Sequence, residues 1–324
     1  MTSLKNIKKP VSIHLAEFNK VFRAAVKSNT ALLDIIMQYI LKSKGKQMRP
    51  VIVLYSAGVT GKINPSTYRA ATLVELLHTA TLVHDDIVDE SYQRRNRFSV
   101  NAIWRNKVAV LSGDFLLSRG MLLAVENGDY KMLEIVSKAV KEMSEGELLQ
   151  IEKARKLDID EQIYFDIIRR KTASLLASCF AVGAASTNSN DEETAKMYNI
   201  GENLGMAFQI KDDLLDFGQN EDIGKPTGID IKEKKMTLPL IYLLNNSGKK
   251  EKKQYVNIVK NHSNDKQKVN WLIEHVKKSG GMEYAIKKMN EFEQKALNLL
   301  DFFPENESHK MLKEIIRFTI DRKK

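Results

Sequence analysis

Apolar residues recur on helical spacing along nearly the whole of this chain, and that periodicity confines it to helical architectures. The clearest run extends from Ser66 to Ser91, and others cover about 11–42, 101–127, 129–156, 160–185 and 191–217. Only 16 Gly and 6 Pro punctuate the 324 residues, and no series of short alternating segments lies between turn signals, so an all-α class is expected. Boundaries are legible as well. Gly45 to Pro50 interrupts the first long segment, with Pro50 suited to the opening turn of a helix that ends near Gly58 and Gly61. Asn64-Pro65 reads as an N-cap followed by proline at the first helical position. Ser186 to Asn190 reads as a loop, and the stretch beyond Thr237 as about four shorter helices parted near Gly248, His262, Gly280 and Pro304. No shift of composition marks a second domain, so residues 1–324 are read as one domain.

The hydrophobic fraction of 43% and charged fraction of 28% are those of a folded globular chain. A net charge of +10 suits nucleic acid, anionic lipid or a phosphorylated small molecule. Much of the excess lies in runs such as Lys249 to Lys253, the usual mark of a solvated surface. No basic stripe interleaved with aromatics is present, which sets nucleic-acid binding aside. The N-terminal residues lack an uninterrupted apolar stretch, and no run of about 18 consecutive apolar residues occurs, so neither a secretory signal nor a membrane span is expected and a cytoplasmic location is. The single cysteine, Cys179, sits among apolar residues and is read as a buried structural thiol.

Two segments carry the chemistry. His84-Asp-Asp-Ile-Val-Asp89 and Lys211-Asp-Asp-Leu-Leu-Asp216 share one form: two acids, two apolar residues, a third acid. Asp85 and Asp89, like Asp212 and Asp216, lie one helical turn apart on one face. Like charges at that spacing cost about 0.2–0.5 kcal/mol per pair unless neutralised. A hard divalent cation neutralises them, and Mg²⁺ accepts carboxylate oxygens while keeping positions for water and phosphate. Asp85, Asp86, Asp89, Asp212, Asp213 and Asp216 are therefore the candidate metal ligands. One isolated copy could equally be a solvated acidic face; two copies, each closing an apolar helix of a basic protein, argue for diphosphate binding. Arg94 and Arg95 follow the first motif, Lys225 and Lys235 flank the loop after the second, and Lys46 and Arg49 sit in a Gly-bearing turn. Arg can fork onto phosphate oxygens, and Lys acts as a point charge.

At these residues the chain resembles the trans-isoprenyl diphosphate synthases, the polyprenyl synthetase family. The likeness runs through Gly45-Lys-x-x-Arg-Pro50, Leu77 to Ser91 with Arg94-Arg95, Gly113-Asp114, Lys171-Thr172, Phe208 to Asp216, Gly224 to Gly228 and Lys235-x-Thr-Leu-Pro239. It resembles long-chain members such as octaprenyl and heptaprenyl diphosphate synthases. The resemblance implies a single-domain isoprenoid synthase helical bundle around a central active-site cavity, Mg²⁺ as cofactor and a homodimer. It further implies that Lys46, Arg49, His78 and Arg95 hold isopentenyl diphosphate, and that Arg94, Lys171, Thr172, Gln209, Lys225 and Lys235 hold an allylic diphosphate with the metal. His78 also lies seven residues before Asp85, on the same helical face; His84 is read as structural. Two positions depart from the family, which usually has Gly where this chain has Asn96 and Lys234; Asn tolerates a left-handed backbone better than most residues.

The reaction so implied is head-to-tail, all-trans condensation by an Mg-dependent prenyltransferase, with Lys171 and the six Asp residues as its catalytic set. Ala80 and Thr81, five and four residues before Asp85, are the candidates for setting chain length. Family members that stop early carry an aromatic plug there, whereas these are small, which implies a long-chain polyprenyl diphosphate, a quinone side-chain precursor. A short-chain farnesyl or geranylgeranyl synthase is the alternative. A class I terpene cyclase, whose second motif usually mixes Asn, Ser or Thr with acids, and a non-catalytic synthase subunit, which would not need both motifs, rank below it. A transient membrane contact for releasing a lipophilic product is compatible with the basic surface.

Overall fold

The computed structural model describes residues 4–42, 45–94, 97–156, 160–218 and 228–321, and they are helical almost throughout. They form two compact units: residues 1–140, 178–198 and 301–314 in one, and 141–177, 199–300 and 315–324 in the other.

In the first unit the central element is the Met48–Thr60 helix, buried along nearly its whole surface from Pro50 to Ala57, the pattern of a helix enclosed by others. Beside it runs the Pro65–Val88 helix. Asn64 caps this helix as the sequence predicts, its Oδ1 accepting the Ser66 and Thr67 N–H groups at 2.8 and 3.3 Å, with Pro65 in the first turn. The segment read as one amphipathic run over 11–42 divides into the Ser12–Ala25 and Ala31–Lys42 helices, and a short Leu4–Lys8 helix precedes them. After the first acidic motif a two-residue antiparallel pair joins Gln93–Arg94 to Arg97–Phe98, with Arg94 opposite Arg97. Nothing in the helical periodicity announces this hairpin. Tyr39 holds it, donating its hydroxyl to the Phe98 carbonyl at 2.5 Å.

The Val100–Glu126 helix packs its Ala109, Ser112, Gly113, Leu116 and Gly120 inward. Its outer side exposes Ile103, Val110, Leu111, Met121, Leu122 and Val125. Among the described helices it is the one long and apolar enough to cross a membrane by length and composition. Asp114 and Arg119 interrupt its apolar sequence.

The second unit is built on the later turns of the Asp191–Phe217 helix, whose Ile210, Leu214 and Phe217 share a core with Tyr164, Ile231, Met236, Leu240 and Leu272. The predicted 160–185 helix is interrupted. Glu161–Ile168 passes into a π-helical turn, Arg169–Ala173, before Ser174–Ala185 resumes. A neighbouring helix approaches this turn closely: a Cβ at Gly205 would lie 2.5 Å from the Ala173 Cα, so only glycine lets the two backbones meet. π-turns of this kind are rare and concentrate at functional sites. Beyond residue 237 come five helices rather than four, Leu238–Asn245, Lys249–Asn261, Lys266–Lys278, Gly281–Leu300 and Glu307–Asp321, preceded by the short Ile229–Lys232.

Candidate active site

Each compact unit contains one acidic motif, and each motif closes its helix. In the first unit the Pro65–Val88 helix ends with Asp89 as C-cap, its N–H bonded to the Asp85 carbonyl at 2.8 Å. Asp85 and Asp89 are exposed. Asp86 is 5% exposed, and its Oδ1 accepts from Arg94 Nε at 2.7 Å. The motif thus presents two carboxylates outward and holds the middle one with a guanidinium.

A cavity beside this motif is lined by Gln47, Glu75, His78, Asp86, Arg94 and apolar side chains that include Phe22 and Leu82. His78 is therefore on the motif's side of its helix, as its spacing predicts. Lys46 lies exposed in the turn that precedes the Met48–Thr60 helix, and Arg49 is half-buried in that helix's first turn. The Arg49 guanidinium also opposes, incompletely, the effect of burial on Cys179, whose thiol is pushed up to about 12 and so stays protonated. His84 packs against the Val100–Glu126 helix: its ring nitrogen lies 3.2 Å from the Val110 carbonyl and 3.6 Å from Asp114, and a Cβ on Gly113 would sit 2.1 Å from that ring. This gives Gly113 of the Gly-Asp pair its reason. Ala80 is fully buried and Thr81 half-buried, with its hydroxyl donated to the His78 carbonyl at 2.9 Å. Neither is among the residues lining this cavity. Arg95 and Asn96 lie outside the described residues.

In the second unit a cavity is lined by Lys171, Gln209, Asp212, Asp213, Asp230, Lys235 and Thr237. The π-turn carries Lys171 and Thr172, and the last turns of the Asp191–Phe217 helix carry Gln209 and the acids. The cations are held by carboxylates. Lys171 pairs with Glu147, with Gln150 Oε1 at 3.4 Å, and Lys235 pairs with Glu233 at 2.6 Å and faces Asp230 at 3.7 Å. Asp213 accepts the Tyr164 hydroxyl at 2.7 Å and the Leu238 N–H at 3.4 Å. Asp216 accepts the Ile229 and Asp230 N–H groups at 3.0 and 3.2 Å. Lys225 lies outside the described residues. Lys234, one of the family departures, has φ +58°, the left-handed region that favours Gly.

Burial pushes the Asp213 carboxyl up to about 8; the Tyr164 hydroxyl opposes this, and the charge of Asp230 adds to it. Burial and then the Asp216 charge lift Asp230 to about 6. Asp216 is raised as well, chiefly by burial, against the pull of its two N–H donors. Crowded acids with raised pKa values are short of positive charge, and their oxygens are the hard donors that Mg²⁺ prefers. Among the described residues no three His, Cys, Asp or Glu side chains converge as a ready metal cage. Tyr164, Asp230, Glu147 and Glu233 are not legible in the sequence as site residues: Tyr164 and Glu147 reach it only when separate helices pack, and Asp230 and Glu233 only through the fold of the segment before Lys235.

The polyprenyl synthetase family model matches residues 30–276. A curated relative, the geranyl-diphosphate-specific all-trans-nonaprenyl-diphosphate synthase of Rhodobacter capsulatus, is 34% identical over 98% of both chains. Among solved structures, a polyprenyl synthase from Caulobacter crescentus, complexed with calcium and isoprenyl diphosphate, is 31% identical with a TM-score of 0.88, over 99% of this chain and 98% of that one. A geranylgeranyl pyrophosphate synthase from Bacteroides thetaiotaomicron is 36% identical with a TM-score of 0.82, over 98% and 99%. The chain belongs to the polyprenyl synthetase family, the trans-isoprenyl diphosphate synthases, and is a prenyltransferase.

Proposed function

We propose that this enzyme condenses isopentenyl diphosphate with an allylic diphosphate, head to tail and all-trans, and releases a long-chain polyprenyl diphosphate. The observation that carries this reading is the cavity in which Lys171, Gln209 and Lys235 share walls with Asp212 and Asp213. Cations and metal-seeking acids in one cavity suit a diphosphate–metal complex and little else.

Asp85, Asp86, Asp89, Asp212, Asp213 and Asp216 would hold Mg²⁺, which when bound supplies Lewis-acid neutralisation of the diphosphate leaving group. Lys171 and Lys235 exchange Glu147 and Glu233 for phosphate oxygens, while Thr172 and Gln209 add hydrogen bonds. With Arg94 and Lys225 they favour the charge that develops as the allylic carbon–oxygen bond breaks. Lys46, Arg49, His78 and Arg95 orient isopentenyl diphosphate so that its double bond attacks the allylic carbon, and proton loss completes each cycle. Incubation with radiolabelled isopentenyl diphosphate, an allylic primer and Mg²⁺, with sizing of the product, tests activity and length together. No elongation product would overturn the reading.

Long products are supported by small Ala80 and Thr81 and by the nonaprenyl relative. The geranylgeranyl synthase likeness supports a short product, and the same sizing decides between them. The family model extends over parts of both compact units, which supports a single functional domain. A homodimer is proposed through the exposed stripe of the Val100–Glu126 helix, where Ile103, Val110, Leu111, Met121, Leu122 and Val125 would be covered by a second copy. Leu111→Lys with Leu122→Lys, read by sedimentation, should then give monomers. A cytoplasmic location belongs to the same proposal, supported by one buried, unbridged cysteine, and cell fractionation checks it. Vesicle flotation checks for a transient membrane contact.

A further inference from the structure

We propose that Asn101 is a positioning residue that fixes the backbone from which the first acidic motif projects; this rests on reading Asp85 to Asp89 as a metal motif. The Pro65–Val88 helix ends in a tight cap. Glu90 takes a left-handed backbone, φ +50°, and the Ser91 N–H closes onto the Asp86 carbonyl at 2.9 Å. Asn101, 5% exposed, adds a second donor to that same carbonyl, Nδ2 to O at 3.1 Å. Two further bonds tie Ser99, two residues before Asn101, to the motif's exit: the Ser99 hydroxyl to the Ser91 carbonyl at 2.8 Å, and the Ser99 N–H to the Tyr92 carbonyl at 3.1 Å.

Two unfavourable features accompany the contact. The Asn101 Oδ1 is buried with no hydrogen-bond partner among the described residues, which costs the acceptor its solvation without replacement. Four residues on, Arg105 has φ +73° and ψ +163°, a strained region nearly reserved for glycine. It separates the turn that carries Asn101 from the rest of the Val100–Glu126 helix. An apolar residue of similar shape at 101 would avoid the orphaned acceptor, so stability alone does not account for asparagine. What the amide supplies is a fixed Asp86 peptide. Asp85 and Asp89 leave the backbone within one turn of it, and Asp86 itself meets Arg94.

The test uses the full-length protein with Mg²⁺ and inorganic diphosphate as probe. Asn101→Leu should keep its metal-free melting temperature within a few degrees. Calorimetric titration should show Mg²⁺-dependent diphosphate binding weakened roughly 10-fold or more, the loss typical when a side chain that supports metal ligands is removed. The KM for the allylic substrate should rise with it. Asn101→His, whose ring N–H reaches about as far, should recover most of the binding. If Asn101→Leu does not fold, Asn101→Ser, too short to reach the carbonyl, replaces it with the same expected losses. Native-like metal-dependent binding in the folded variant overturns the role of Asn101. Absence of such binding in the unmodified protein overturns the metal reading beneath it.

Discussion

Tyr164, buried in the core of the second unit, donates its hydroxyl to Oδ2 of the half-buried Asp213 at 2.7 Å. The first motif treats its middle acid in the same way, Arg94 meeting Asp86 at 2.7 Å. In both motifs the second acid is held by a side chain from another element, while in the second motif the outer Asp216 is held by the Ile229 and Asp230 N–H groups. Hydrogen bonds to charged groups contribute about 1.5–3 kcal/mol. Tyr164→Phe should therefore raise the Asp213 pKa further and lower kcat/KM by roughly 10-fold or more, with a higher Mg²⁺ concentration for half-maximal rate. Unchanged metal dependence in this variant would show that the bond serves packing alone.

Asp85→Ala and Asp212→Ala should each reduce condensation by orders of magnitude and leave helix content intact. Asp85 is exposed and Asp212 half-buried beside a cavity, so neither removal opens a void in the core. Steady-state turnover and far-ultraviolet circular dichroism check the two halves of this expectation. Near-normal turnover in either variant contradicts the metal site.

The acid cluster should make the metal-free protein more stable as pH falls. Asp213 at about 8 and Asp230 at about 6 are raised above the ordinary carboxylate range near 4. Between those values the folded state binds protons that the unfolded chain does not, so stability declines as pH rises through the folded pKa values. In a chelator, the melting temperature should climb as pH is lowered from about 8 to about 5.5. Mg²⁺ with diphosphate should flatten that slope by favouring the ionised acids. A melting temperature independent of pH in the chelator would remove the cluster from the account.

Ala80→Tyr should shorten the product and also lower stability, because Ala80 is fully buried and an enlarged side chain there overpacks by about 1–3 kcal/mol. Thr81→Phe, at a half-buried position, should shorten the product with a smaller stability loss. Chromatographic sizing and thermal melts separate the two effects. An unchanged product length in both variants would reject these positions as the determinants.

Lys234→Gly should stabilise the protein by about 0.5–1 kcal/mol, since φ +58° penalises any side chain with a Cβ, and the greater freedom of glycine in the unfolded chain offsets part of the gain. Urea denaturation midpoints read this directly.

The sequence by itself determined the all-helical class, the Asn64-Pro65 helix start, the closing of two helices on acidic motifs and the family. Each of these is written in residues close together along the chain, where periodicity, capping and spacing act locally. It also put His78 on the motif side of its helix, because two helical turns are a local measure. What only the tertiary structure decided is how the charges are partnered. Lys171 meets Glu147, Lys235 meets Glu233, Asp213 meets Tyr164, and Asn101 meets the Asp86 carbonyl. The π-turn under Lys171 and the left-handed residues at 90, 105 and 234 belong to the same class. Except for Glu233 and Lys235, these partners lie on different elements or across a break in one. Their meeting, and the backbone strain that accompanies some of it, is set by how the helices pack rather than by any period in the chain.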